Sequence, residues 1–158
     1  MMILLKNILK GRLPQSNVSV SMYFVDTNIF LRVLTKDDTE RAERCFALLK
    51  KAEAKEIELV TTEAVITEIV YILASKKWFG LSHERIHELL SPILRTKGLY
   101  IPKKHVYFRA LDVYAQHNLD FEDCIIVAHM EEQHIQELYS YDAGIDAVSS
   151  VQRIEPSV

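Results

Sequence analysis

The sequence predicts an α/β domain built around a parallel sheet. Two observations lead there. Short apolar stretches of strand length alternate with longer stretches whose apolar residues recur every three or four positions, and 158 residues at 49% hydrophobic content suffice for the core of one domain.

The elements follow in order. Met22 to Val25 is a short apolar strand, and Asp26 to Asn28 turn the chain into a short helix carrying Ile29, Phe30, Val33 and Leu34. A longer helix from about Thr39 to Lys55 places Ala42, Phe46 and Leu49 on one face. "IELVTT" is the second strand. Ile66, Ile69, Val70 and Leu73 stand at helical spacing in a helix from Glu63 to Lys77, stopped near Gly80. Ser82 caps the next helix, through about Arg95, with Ile86, Leu89, Leu90 and Ile93 inward. "LYIP" is strand-like, and Pro102 suits the start of a helix from Lys103 to His117. Glu122 to Gln133 forms another helix, and "ELYSYD" and "VQRIEP" are the last two strands.

Residues 1–21 stand apart from this pattern. They read as an extra amphipathic helix with Ile3, Leu4, Leu5, Ile8 and Leu9, or as a segment upstream of a natural start at Met22; residues 22–158 form the domain proper. The basic lead and small-residue cleavage site of a secretory signal are missing, and no apolar run approaches the roughly 20 residues that span a bilayer. Cys45 and Cys124 are the only cysteines, too few for a disulfide framework or a four-cysteine zinc site, which suits a cytoplasmic protein.

Charge is sorted along the chain. Residues 112–158 hold ten acids and one base, whereas residues 76–104 hold seven bases and two acids, within a net charge of −3. That sum gives no whole-protein argument for nucleic-acid binding. The sorting reads either as solvated helix faces or as an acidic site beside a basic strip. The four glycines are isolated at 11, 80, 98 and 144, so no backbone cradle for a nucleotide phosphate is present.

Four acids are hard to explain as ordinary surface residues. Asp26 closes the first strand, where ligands of parallel sheets gather, although a helix cap is its other role. Glu68 shares a helix ridge with Val65 and Ile72. Asp123 falls in a first helical turn, three residues after Asp120, in what resembles a capping arrangement. Asp142 ends a strand, with Asp146 a nearby competitor. Gathered at one sheet edge, four carboxylates repel and raise each other's pKa, a conflict that a divalent cation removes. Hard oxygen donors suit magnesium or manganese.

"YFVDTNIFLRVL", "TTEAVITEIVYIL", "LDFEDCIIVAHM" and "LYSYDAGIDAVSSVQRIEP" resemble, in this order, the four signature segments of the PIN domain family. The resemblance implies a three-layer α/β/α sandwich with a central parallel sheet. It also implies a metal-dependent endoribonuclease of the kind found among VapC-type toxins, leaving 5′-phosphate and 3′-hydroxyl ends. Asp26, Glu68, Asp123 and Asp142 correspond to the family's acidic quartet and Asn28 to a polar helper; Asp26 and Asp123 would hold the first Mg2+ or Mn2+. A protein antitoxin and a homodimer are the partners implied. Ile145, Cys124 and residues 1–21 depart from the family pattern.

A basic strip of Arg32, Lys76, Lys77, Lys103 and Lys104, with Arg95 and Lys97, is the expected contact for an RNA backbone. Trp78 and Tyr100 are expected in the core, with base stacking as their other role. Two further readings compete. A catalytically silent module binding RNA or protein would carry the acids as structure. "HERIH", with His83, Glu84 and His87, matches a zinc-protease motif, but no third ligand follows at a suitable spacing.

Overall fold

A computed structural model describes residues 20–157. The expected N-terminal helix lies outside the described residues. Strand β1 (Ser21–Phe24) runs parallel to β2 (Ile57–Val60), with Phe24 opposite Val60, and β2 runs parallel to β3 (Leu99–Tyr100). Parallel neighbours need crossovers, and helices supply both. Helices α1 (Thr27–Thr35) and α2 (Thr39–Glu53) connect β1 to β2, and α3 (Glu63–Ala74) and α4 (His83–Leu94) connect β2 to β3. Then α5 (Lys104–Gln116) and α6 (Phe121–Gln133) pack along each other, α5 also against α4. Strand β4 (Glu137–Tyr139), a 3-10 turn (Ala143–Ala147) and β5 (Gln152–Ile154) complete the chain.

The α/β class and the parallel pairing are as expected, but the single sheet is not. The strands pair as β1-β2-β3 and, separately, as β4-β5. Strand β4 is three residues long and pairs with β5, while β1, with Tyr23 and Phe24 exposed, pairs with β2. Alternation of strands and helices encodes which segments extend, not which edges meet.

The core lies between β2 and the helices. Leu59, Phe30, Ile66, Ile69, Leu73, Ile86, Leu90 and Leu111 are fully buried, each such side chain contributing about 1.5–3 kcal/mol relative to exposure. Their spacing matches the helical periodicity read from the sequence. Two aromatic assignments fail. Phe46 points outward beneath the Lys50 ammonium, 5.1 Å from its ring centre, and Trp78 is 62% exposed. The helix expected through Lys77 ends at Ala74, and residues 76–79 form a turn. Gly98 allows the chain to pass α2 on its way into β3, because a Cβ there would clash with the Ala52 carbonyl. Among the described residues no helix is long and apolar enough to cross a membrane.

Candidate active site

Asp26 stands immediately beyond β1. The ladder continues one step past the strand, from the Val25 N–H to the Val60 carbonyl at 2.8 Å, and the buried Thr61 hydroxyl donates to the Val25 carbonyl at 2.9 Å. This fixes the backbone just before Asp26. Its carboxylate then accepts from the Ile29 N–H at 3.3 Å as the N-cap of α1. Both roles foreseen for Asp26, cap and strand-end acid, thus belong to the same residue.

Thr27, buried beside it, donates its hydroxyl to the Glu68 carboxylate on α3. That contact brings Glu68 to the Asp26 end of the sheet across 41 residues of sequence. Thr27 is the neighbour of Asp26 whose partner the sequence does not name: the "VDTN" segment shows a hydroxyl beside Asp26, but nothing local points to Glu68. Asn28 follows, exposed, in the first turn of α1.

Asp123 occupies the first turn of α6, half-buried. Burial, and then the charges of Asp142, Asp120 and Glu122, push its carboxyl above the ordinary value. No hydrogen bond to its carboxylate is present among the described residues. The capping arrangement expected with Asp120 is corrected: Asp120 holds the N-cap position, but its side chain makes no cap hydrogen bond. Asp142 follows β4 and accepts from the Gly144 N–H at 2.8 Å, capping the 3-10 turn. Its competitor Asp146 is engaged by Arg153 at 3.0 Å. Of the acids whose charge raises the Asp123 carboxyl, Asp142 stands first.

The quartet thus appears as two pairs, Asp26 with Glu68 and Asp123 with Asp142. The division follows the sheets, since Asp26 closes a strand of the first and Asp142 one of the second. Among the described residues no three acid, histidine or cysteine side chains converge closely enough to form a ready coordination sphere. The donor chemistry at Asp123 nonetheless fits a hard cation, because its carboxyl is raised by burial first and then by the charges of other carboxylates, with no base among the causes.

The basic strip is largely committed elsewhere. Lys103 pairs with Glu132 at 3.0 Å, Arg32 with Asp37, and Lys97 with Glu53 at 3.0 Å. The half-buried Lys104 ammonium donates to the Thr96 and Leu99 carbonyls, and burial lowers its pKa. Lys76 and Lys77 are exposed and carry no ion pair among the described residues.

The zinc-protease reading fails on geometry. Both histidines face α5: His83 Nδ1 lies 3.0 Å from the Tyr114 carbonyl with its ring stacked on Tyr114, and His87 pairs with Asp112 at 2.9 Å. Two of the three departures from the family pattern are ordinary core. Ile145 is buried, and burial, followed by the neighbouring Asp123, pushes the Cys124 thiol up to about 12.

A crystal structure of Mycobacterium tuberculosis VapC20, titled as a sarcin–ricin loop cleaving toxin, is similar at 19% identity, covering 86% of this chain and 100% of that one, with a TM-score of 0.35. No curated protein matches the sequence significantly. The family model of the PIN domain matches residues 23–151, a span that takes in the second half of β1, all four acids and every helix described. The chain belongs to the PIN domain family.

Proposed function

We propose that this PIN domain is a divalent-metal-dependent endoribonuclease, acting as the toxin of a toxin–antitoxin pair. The observation that carries the reading is the placement of two acids, Asp26 at the end of β1 and Glu68 bonded to its neighbour Thr27, in a chain that the PIN domain model matches over residues 23–151; in support, burial first and then Asp142 and other acids raise the Asp123 carboxyl. Such an arrangement is unfavourable in a purely structural role and useful around a cation.

Asp123, Asp142 and Asp26 would hold Mg2+ or Mn2+, and Glu68, oriented by the Thr27 hydroxyl, would accept a proton from the attacking water. When bound, such an ion lowers the pKa of water and stabilises charge on phosphate oxygens. Asp26 keeps its bond to the Ile29 N–H, so its carboxylate is aimed before substrate arrives. Asn28 supplies an amide beside the scissile phosphate. The partners in this reading are an antitoxin whose basic residue occupies the acidic end and a second copy of the chain. The exposed Tyr71 and Ile126, which border one groove between α3 and α6, offer apolar surface for the second copy.

The silent binding module is the second reading, favoured by the lack of a ready three-ligand cluster among the described residues. One experiment separates the two. Purified protein is incubated with total cellular RNA and Mn2+, and new ends are mapped beside Asp26→Asn. New 5′-phosphate ends that disappear in Asp26→Asn support the nuclease. Absence of any cut dependent on Asp26 transfers the weight to the binding module.

A further inference from the structure

Trp78, the sole tryptophan, is 62% exposed, and its neighbour Phe79 is 41% exposed. Loose chain does not explain this. The N–H groups of Trp78, Phe79 and Gly80 all converge on the Ser75 carbonyl at 2.9, 3.0 and 2.9 Å, and Leu81 donates back to the Leu73 carbonyl at 2.9 Å. Gly80, at φ +58°, closes the knuckle in a conformation that favours glycine. Two aromatic rings are thus held outward on a tightly bonded turn.

They border a groove of about 240 Å3 whose other walls include Asn28 and Arg32 of α1 and Ile72 of α3. Ile72 lies one helical turn, about 6 Å along the axis, beyond Glu68, and Asn28 is two residues from Asp26. The groove therefore runs from Asn28, close in sequence to Asp26, to Trp78. Its one acid, Asp37, is neutralised by Arg32. The remaining cations are Lys76 and Lys77 on the knuckle itself, the Lys77 ammonium 5.4 Å from the Trp78 ring centre. Flat exposed rings bordered by unpaired ammonium groups complement a nucleic-acid strand, base on ring and phosphate on lysine.

We infer that Trp78 is a stacking platform for an unpaired base of the substrate RNA, with Lys76 and Lys77 holding the adjoining phosphates. The inference rests on the nuclease reading for the identity of the strand, and it extends that site to a second, substrate-positioning residue group. Phe79 forms the groove side of the platform. Duplex RNA, whose bases are already stacked on one another, does not fit.

The test uses the full chain carrying Asp26→Asn, in Mg2+, titrated with a short single-stranded oligoribonucleotide of mixed sequence. Trp78 emission reports stacking directly and fluorescence anisotropy of labelled RNA reports affinity. Saturable quenching by the single strand, with little by a blunt duplex, is expected. Trp78→Ala weakens affinity by between about 5-fold and 150-fold, the range for loss of one stacked base, and Trp78→Phe restores most of it. Lys76→Ala with Lys77→Ala flattens the salt dependence by about 1.4 in log–log slope, near 0.7 for each phosphate contact on a single strand. RNA that binds without changing Trp78 emission, or affinity within about twofold in Trp78→Ala, overturns the inference; so does the absence of RNA binding. Quenching with binding in a protein whose wild-type form cuts no RNA in Mn2+ sinks the nuclease reading and keeps the platform. Wild-type cleavage alongside an unaffected Trp78→Ala does the reverse.

Discussion

The two halves of the acidic end are built on opposite principles. At Asp26 and Glu68 each carboxylate receives a hydrogen bond from its own scaffold, the Ile29 N–H in one case and the Thr27 hydroxyl in the other. At Asp123 no such donor is present among the described residues, and burial first, then the charges of Asp142, Asp120 and Glu122, push its carboxyl up. One half is arranged by neutral donors that hold a carboxylate without cancelling its charge. The other half stores repulsion. In the proposed nuclease, a cation held by acids of both kinds would offset the repulsion at Asp123 and stabilise the native state.

The largest expected effect is on activity. Asp26→Asn and Asp123→Asn each lower the rate of metal-dependent RNA cleavage by about 100-fold or more, measured on the same substrate. Equal loss in both halves sharpens the view that they serve one centre. Loss in only one breaks it.

Stability should then separate the halves in metal-free buffer. Thr27→Val removes the donor to Glu68, costing about 1 kcal/mol, whereas Asp123→Asn relieves a partly buried charge and its repulsion by neighbouring acids and raises Tm. Thermal unfolding of both variants checks the signs. The pH response follows. Asp123's carboxyl has a raised folded pKa, so its protonated form is favoured in the native state. Its contribution to stability is present below the unfolded pKa and lost as pH rises through the folded one. Metal-free wild type should therefore show a loss of stability over that rise that Asp123→Asn lacks.

Much of this was legible in advance, and for identifiable reasons. Helical spacing placed Ile66, Ile69, Leu73, Ile86 and Leu90 correctly because burial of one helix face is a local property of sequence. Strand ends marked Asp26 and Asp142, since a charge after an apolar run has few other places to go. The partner of Glu68 was not legible: Thr27 lies 41 residues away, and only the packing of α1 on α3 brings them together. Nor was the exposure of Trp78, because large aromatic residues are buried more often than not, and the turn that lifts it is made by backbone N–H groups that carry no sequence signature. The division of the strands into two sheets is likewise a matter of edges, on which side-chain pattern is silent.

The smallest expected effect concerns the basic side. Glu132 is held down to about 2 by Lys103 first and then by His105. Its ionised form is thus favoured in the fold, and that contribution is present above the unfolded pKa and lost as pH falls through about 2. In a carboxyl-carbon NMR titration Glu132 should stay ionised below the other glutamates, and Lys103→Ala should move its midpoint upward. The same substitution should leave RNA affinity nearly unchanged, because Lys103 is committed to Glu132, in contrast to Lys76 and Lys77.

The central claim is that a divalent ion resolves the repulsion at Asp123, and Mn2+ titration followed by thermal unfolding tests it most directly. Manganese at about 100 times its dissociation constant should stabilise the wild type by about 2.7 kcal/mol, a Tm rise of about 5–10 °C, and should shift Asp123→Asn far less. A wild-type Tm that does not move with Mn2+ or Mg2+, or one that moves equally in Asp123→Asn, would contradict the account.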